Sequence, residues 1–179
     1  GLIWFYSDQP EEVKDTYTNV MAQNGEISKV KLPDGSVVWL NSGSQISYNT
    51  NFSSENRMLS LTGQAYFEVA KKGSMPLVVD CNELKVKALG TKFDVSAYPG
   101  DHNTINVVLE EGLVELNTPK DDSFNYRLQP GEMGKYKKEE GELLVYRVNT
   151  EKFTAWKKGI INIYDQPLVK VVERLESRY

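Results

Sequence analysis

LPDGSVVWLN, residues Leu32 to Asn41, holds the architecture of this chain in miniature: an apolar start, a tight turn at Asp34-Gly35, then an apolar run. An Asp-Gly pair suits a two-residue β-turn because both positions accept positive φ. The same beat returns as LTGQAYFEV (Leu61 to Val69), ALGTKFDVSAY (Ala88 to Tyr98), LEEGLVEL (Leu109 to Leu116) and LQPGEMGKY (Leu128 to Tyr136). The turn glycines Gly35, Gly63, Gly90, Gly112 and Gly131 stand 28, 27, 22 and 19 residues apart. That is the length of one coil of a strand-turn solenoid or one strand pair of a sandwich. The rhythm specifies stacked short strands and supplies no chemistry.

Working outward, Tyr17 to Ala22 and Ile27 to Leu32 read as two strands joined in a hairpin around Asn24-Gly25. Further strands are expected at 45–48, 57–61, 64–69, 77–80, 83–88, 92–98, 104–109, 113–117, 124–128, 132–137 and 143–147. Alternation places Ala65, Phe67 and Val69 on one face of their strand, and Phe93, Val95 and Ala97 on one face of theirs. No sustained helical period occurs before residue 150, so the body is mainly β, either solenoid-like or a sandwich.

The pattern changes near Thr150. EKFTAWK (Glu151 to Lys157) has Thr150 as a cap candidate and Phe153 and Trp156 three apart, which suits one or two helical turns docked by aromatics. Ile160 to Tyr164 then reads as a strand. Leu168, Val171, Val172, Leu175 and Tyr179 form the stripe of an amphipathic helix. A lone strand and helix cannot bury that stripe on themselves, so they read as the truncated start of a second, βα-type unit. At the other end, Leu2 to Tyr6 is apolar but far short of the roughly 20 residues that span a bilayer. It suits a membrane-proximal stub or a short packed strand. The expected organisation is a stub and linker over 1–15, an all-β domain over 16–150, and a connector with the truncated unit over 151–179.

Composition narrows the function. The 179 residues carry 21 Lys and Arg against 25 Asp and Glu, a net charge of −4, which argues against nucleic-acid binding. One cysteine, Cys81, excludes an internal disulfide and reads as strand packing or, alternatively, a reactive thiol. His102, the one histidine, sits in the turn PGDHN with no second ligand or nucleophile near it in sequence. Neither phosphate-binding glycine motif occurs. The acid pairs Glu110-Glu111, Asp121-Asp122 and Glu139-Glu140 read as solvated turns, and Glu68 falls on the polar face of its strand. Aromatic residues make up 11% of the chain, which suits sugar stacking, but Trp39, Tyr66, Phe67, Phe93 and Trp156 are better read as filling a thin β stack. No catalytic, cofactor or metal site is expected. An enzyme would require converging acids that the spacing does not reveal.

The strings LPDGSVVWLNSGSQISY (Leu32 to Tyr48), LTGQAYFEVAK (Leu61 to Lys71), PLVVDCNELKVKALGTKFDVSAY (Pro76 to Tyr98), VVLEEGLVEL (Val107 to Leu116), LQPGEMGKY and FTAWKKGIINIYDQPLVKVVERLESRY (Phe153 to Tyr179) together resemble the FecR family of membrane-anchored anti-sigma regulators, in the form common in Bacteroidetes. The resemblance implies a periplasmic domain behind a single N-terminal inner-membrane span and a cytoplasmic segment that binds an extracytoplasmic-function sigma factor. It also implies a periplasmic partner, the signalling domain of a TonB-dependent outer-membrane transporter. The tail from Gly159 resembles the family's second subdomain, similar to the short secretin and TonB-receptor domain. Strand addition at Ile160, Ile161, Ile163 and Tyr164 is one route for such contact; pairing within the second unit is the other. The rival reading is a secreted carbohydrate-binding or adhesive β domain.

Overall fold

The computed structural model describes residues 15–101, 103–118 and 121–159. Leu2 to Tyr6, His102, the strand expected at 160–164 and the helix expected from Leu168 lie outside the described residues. In chain order the strands are β1 (Tyr17–Met21), β2 (Ser28–Lys31), β3 (Val37–Leu40), β4 (Gln45–Asn49), β5 (Met58–Glu68), β6 (Leu77–Asp80) and β7 (Lys85–Ala88). They continue as β8 (Lys92–Ala97), β9 (Thr104–Glu111), β10 (Val114–Thr118), β11 (Asp121–Leu128), β12 (Glu132–Lys137) and β13 (Glu142–Arg147). A short helix α1 (Glu151–Thr154) runs into a 3-10 turn (Ala155–Lys158).

One sheet runs β1-β4-β5-β6-β7-β10-β11 and the other β2-β3-β5-β8-β9-β12-β13. They share β5. Its first half pairs with β4 and β6, and its second half with β3 and β8. The expected strands at 57–61 and 64–69 are therefore one strand, and Gly63 marks a bend inside it rather than a turn. Gly63 has φ +95°, and a Cβ there would lie 2.4 Å from Ser44 Oγ and 2.8 Å from Ser44 Cα. Only glycine fits where the strand passes from one sheet to the other.

A straight strand of this length would hold its ends roughly 35 Å apart. Arg57, immediately before β5, nevertheless donates to the carbonyl of Ala70, two residues past its end, at 2.6 Å. The shared strand therefore curls back, and the two sheets close on a common interior. Arg57 holds that curl with further bonds to the Met75 carbonyl (2.7 Å) and to Asp34 Oδ2 in the β2–β3 turn (2.8 Å). The side chains of Arg57 and Asp34 are both fully buried. Such a pair is costly to desolvate, so its value lies in fixing which loops meet.

The interior takes alternate residues from both sheets: Leu59, Leu61, Val79, Val86 and Leu116 from one, Val38, Phe67, Phe93, Val95 and Val107 from the other. Phe67 and Phe93 stack at 5.0 Å. Each ring so buried contributes about 1.5–3 kcal/mol. Every named ladder except β5–β6 is antiparallel, which makes this a curled, sandwich-like closure rather than a solenoid of parallel coils.

One expected hairpin is absent. The Asp34-Gly35 turn does join the paired strands β2 and β3, but Asn24-Gly25 links β1 and β2, which belong to different sheets. The local turn was readable; the partner of each flanking strand was set by the buried face, with Val20 opposite Ile46 and Val30 opposite Val38.

Candidate protein-contact surface

The outer face of the second sheet carries a row that crosses it from edge to edge: Lys29, Trp39, Tyr66, Asp94, Val108, Met133 and Tyr146 stand opposite one another in successive ladders. A solvent-facing row would be polar. Here Tyr66 and Val108 are each 1% exposed and Asp94 2%, although all three point away from the central core. Phe67 and Phe93 fill the interior as expected. Trp39, Tyr66 and Trp156 do not; they build a second, smaller cluster on the outside.

That cluster forms where the chain after β13 returns across the sheet. Thr150 lies in the helical region and makes no side-chain cap, so the expected cap is replaced by Asn149, whose Oδ1 accepts the Glu151 N–H at 3.1 Å. The two short turns of 151–158 bury Thr154 and Trp156. Gly159 ends them in a left-handed conformation, φ 79°. Helical pieces this short have no stability of their own, so contact with the sheet must hold them.

Trp156 and Lys157 make that contact, on a platform that the sheet's own side chains brace. Trp156 donates its indole N–H to Asp94 Oδ2 at 2.7 Å. Gln64 Nε2 donates to Asp94 Oδ1 at 2.9 Å, and Asn41 Nδ2 donates in turn to Gln64 Oε1 at 2.9 Å. Lys157 places its ammonium 3.2 Å from the Tyr66 ring centre and 5.2 Å from that of Trp39, while Lys29 lies 4.9 Å from the Trp39 ring centre. Trp39 and Tyr66 meet edge to face at 5.6 Å.

Electrostatics follow from this crowding. Burial pushes the Tyr66 phenol far above its usual range, and the Glu110 carboxylate, which accepts its O–H at 2.8 Å, pushes it further. Burial also lowers Lys157, opposed by the charges of Glu110, Glu68 and Asp94. Glu110, read from sequence as a solvated turn residue, thus anchors a buried phenol, whereas its neighbour Glu111 pairs with Lys92 at the surface. Glu68 is half-buried on the same outer face. Asp94, Gln64 and Lys157 carried no sequence signal, because each is an ordinary polar residue until β5, β8 and the returning chain are brought together.

The four residues singled out for partner contact, Ile160, Ile161, Ile163 and Tyr164, lie outside the described residues. The docked strap ends immediately before them, at Gly159.

Against known proteins, a family model described as FecR protein matches residues 18–115. The chain belongs to the FecR family. The curled β body is similar to a crystal structure of a candidate anti-sigma factor from Parabacteroides distasonis ATCC 8503 at 2.50 Å, with 34% identity and a TM-score of 0.82 over 92% of this chain and 75% of that one. A second crystal structure described in the same words, at 1.65 Å, gives 34% identity and 0.81 over 90% and 74%. No curated protein matches the chain. The family match in this FecR-family domain runs from β1 into β10, so it includes Trp39, Tyr66 and Asp94, the sheet side of the docking cluster.

Proposed function

We propose that this chain is the periplasmic sensing domain of an anti-sigma factor, relaying a signal from a TonB-dependent outer-membrane transporter to an extracytoplasmic-function sigma factor. The observation that carries the reading is 34% identity over 92% of the chain to a protein described as a candidate anti-sigma factor. The full protein would add an inner-membrane span and a cytoplasmic sigma-binding segment. In this reading residues 1–15 lead from the anchor, 16–150 form the FecR body, and 151–179 form the connector and the start of a second unit. Ile160, Ile161, Ile163 and Tyr164 are the residues proposed to meet the transporter's signalling domain.

The function is one of contact and relay. The strap over 151–158 is the mechanical element, because it ties whatever follows Gly159 to the outer face of the second sheet. Sugar binding is disfavoured by the same cluster: Tyr66 is buried, and Lys29 and Lys157 already occupy positions over the Trp39 ring.

A sigma-dependent reporter in cells carrying the full-length protein tests the relay. Replacing Ile161 and Ile163 with Lys is expected to abolish the response to the transporter's substrate while leaving the protein at normal abundance. An unchanged response, with no binding of the purified transporter signalling domain to the native protein, would refute the proposal.

A further inference from the structure

The strap over 151–158 sits on the second sheet in the manner of a bound peptide. Its backbone hydrogen bonds close within the segment: Lys152 N–H donates to the Asn149 carbonyl, Phe153 and Thr154 N–H to that of Thr150, and Gly159 N–H to that of Trp156. Among the described residues, no strand ladder includes it. What reaches the sheet is side chain: the Trp156 indole N–H on Asp94 Oδ2, and the Lys157 ammonium over the Tyr66 and Trp39 rings.

The platform beneath is held together by the sheet itself. Gln64 Nε2 donates to the other Asp94 oxygen at 2.9 Å, and Asn41 holds Gln64 in turn. Glu110 fixes the Tyr66 hydroxyl, and Tyr66 meets edge to face the Trp39 ring, which also carries Lys29. Trp39, Tyr66 and Asp94 stand opposite one another on β3, β5 and β8, so the ladder sets their spacing. The charges of Glu110, Glu68 and Asp94 all favour the ammonium form of Lys157 against its burial. Because the sheet side is already ordered, a segment that docks there loses little to reorganisation.

We propose that this face is a peptide-binding site for a Trp-Lys pair, and that the strap is its resident ligand, exchangeable for a segment of another protein that bears the same two side chains. The chemistry defines the occupant. A buried carboxylate oxygen selects an indole over a phenyl ring, because a phenyl ring leaves the acceptor short of a donor. Aromatic faces bordered by carboxylates select an ammonium at the next position and reject an acid. Tethering gives the strap its advantage. Residues 148–150 hold it at an effective concentration that is roughly millimolar, so a rival must match that or arrive once the strap has been drawn off. The inference does not rest on the signalling role.

Amide NMR of the chain, titrated with a synthetic peptide of residues 149–159, tests it. In Trp156→Ala/Lys157→Ala the resident side chains are gone, and the peptide is expected to cause saturable shifts around Trp39, Tyr66 and Asp94. The native chain should need about tenfold more peptide for the same response, because its own strap competes. Peptides carrying Trp156→Phe or Lys157→Glu should bind the double variant about tenfold more weakly. Lys157→Glu in the chain is a second route to an emptied site. The side chain is only partly buried, so the body folds, and the new carboxylate is opposed by Glu68, Glu110 and Asp94. This variant too should take up the native peptide more readily than the native chain does. Absence of saturable shifts in both variants at millimolar peptide, equal binding of the Lys157→Glu peptide, or an equal response from the native chain overturns the proposal.

Discussion

Trp156 and Asp94, 62 residues apart in the chain, meet through an indole N–H···carboxylate bond of 2.7 Å that is buried on the outer face of the second sheet. Asp94 belongs to the family-matched body and Trp156 to the strap beyond it, so this one bond joins the β body to the strap. Trp156→Phe keeps an aromatic ring but removes the donor. The loss is expected to weaken strap docking by about 1–3 kcal/mol, the cost of leaving a buried acceptor short of a partner. Hydrogen exchange is the measurement: amides of 151–158 should lose protection while those of β5 and β8 keep theirs. Equal loss in both regions would mean that the strap is part of the global fold and not a separately held element.

Arg57 governs the curl of β5. Arg57→Met leaves Asp34 as a buried charge without its ion-pair partner and is expected to cost about 3–5 kcal/mol. Asp34→Asn combined with Arg57→Met is expected to cost less than the sum of the two single changes, because the double variant buries no charge at this site. Guanidinium unfolding of the four proteins closes the cycle, and strict additivity would show that the pair is not coupled.

Gly63 and Gly35 both have positive φ, +95° and +89°, yet they should respond differently to alanine. At Gly63 the new methyl would meet Ser44 backbone and side chain at 2.8 Å or less. At Gly35 it would meet only the Ala70 Cβ, at 3.8 Å. Gly63→Ala is expected to lose about 1–3 kcal/mol more than Gly35→Ala, since overpacking adds to the backbone strain that both share. Denaturation midpoints of the two variants check the ranking.

Cys81 makes stability sensitive to alkali. Burial, reinforced by the charge of Asp80, pushes its thiol from 9.0 up to about 12. A group whose folded value is raised contributes stability that is complete below its unfolded value and is lost as pH rises toward the folded one. Stability should therefore fall between pH 9.0 and about 12, by up to about 1.4 kcal/mol per pH unit from this group. Tyr66, also raised, adds to the loss in the same direction. Cys81→Ala should flatten the slope just above pH 9.0, as read by urea unfolding at successive pH values. An unchanged slope would assign the loss elsewhere.

Much of the fold was legible because strands and turns are local. The alternation of Ala65, Phe67 and Val69, the Asp34-Gly35 turn and the approximate places of most strands follow from period-two burial and from which residues tolerate positive φ, whereas the break expected at Gly63 does not exist. The candidate surface was far less legible. Trp39, Tyr66 and Trp156 were visible as aromatics but were expected inside. An aromatic residue alternating into the outward position of a strand looks solvent-facing until something covers it, and the cover comes from the chain after β13.

The chain's own order of residues determined that this is a β body of short alternating strands, followed by a short aromatic-docked helical connector and carrying the motifs of one family. Only the tertiary structure decided that two expected strands are one, that Asn24-Gly25 joins different sheets, and that Arg57 meets Asp34 and Asp94 meets Trp156. The reason is range: turns and alternation act between near neighbours, whereas strand partners and buried polar pairs are chosen by surfaces that exist only once the whole chain has closed.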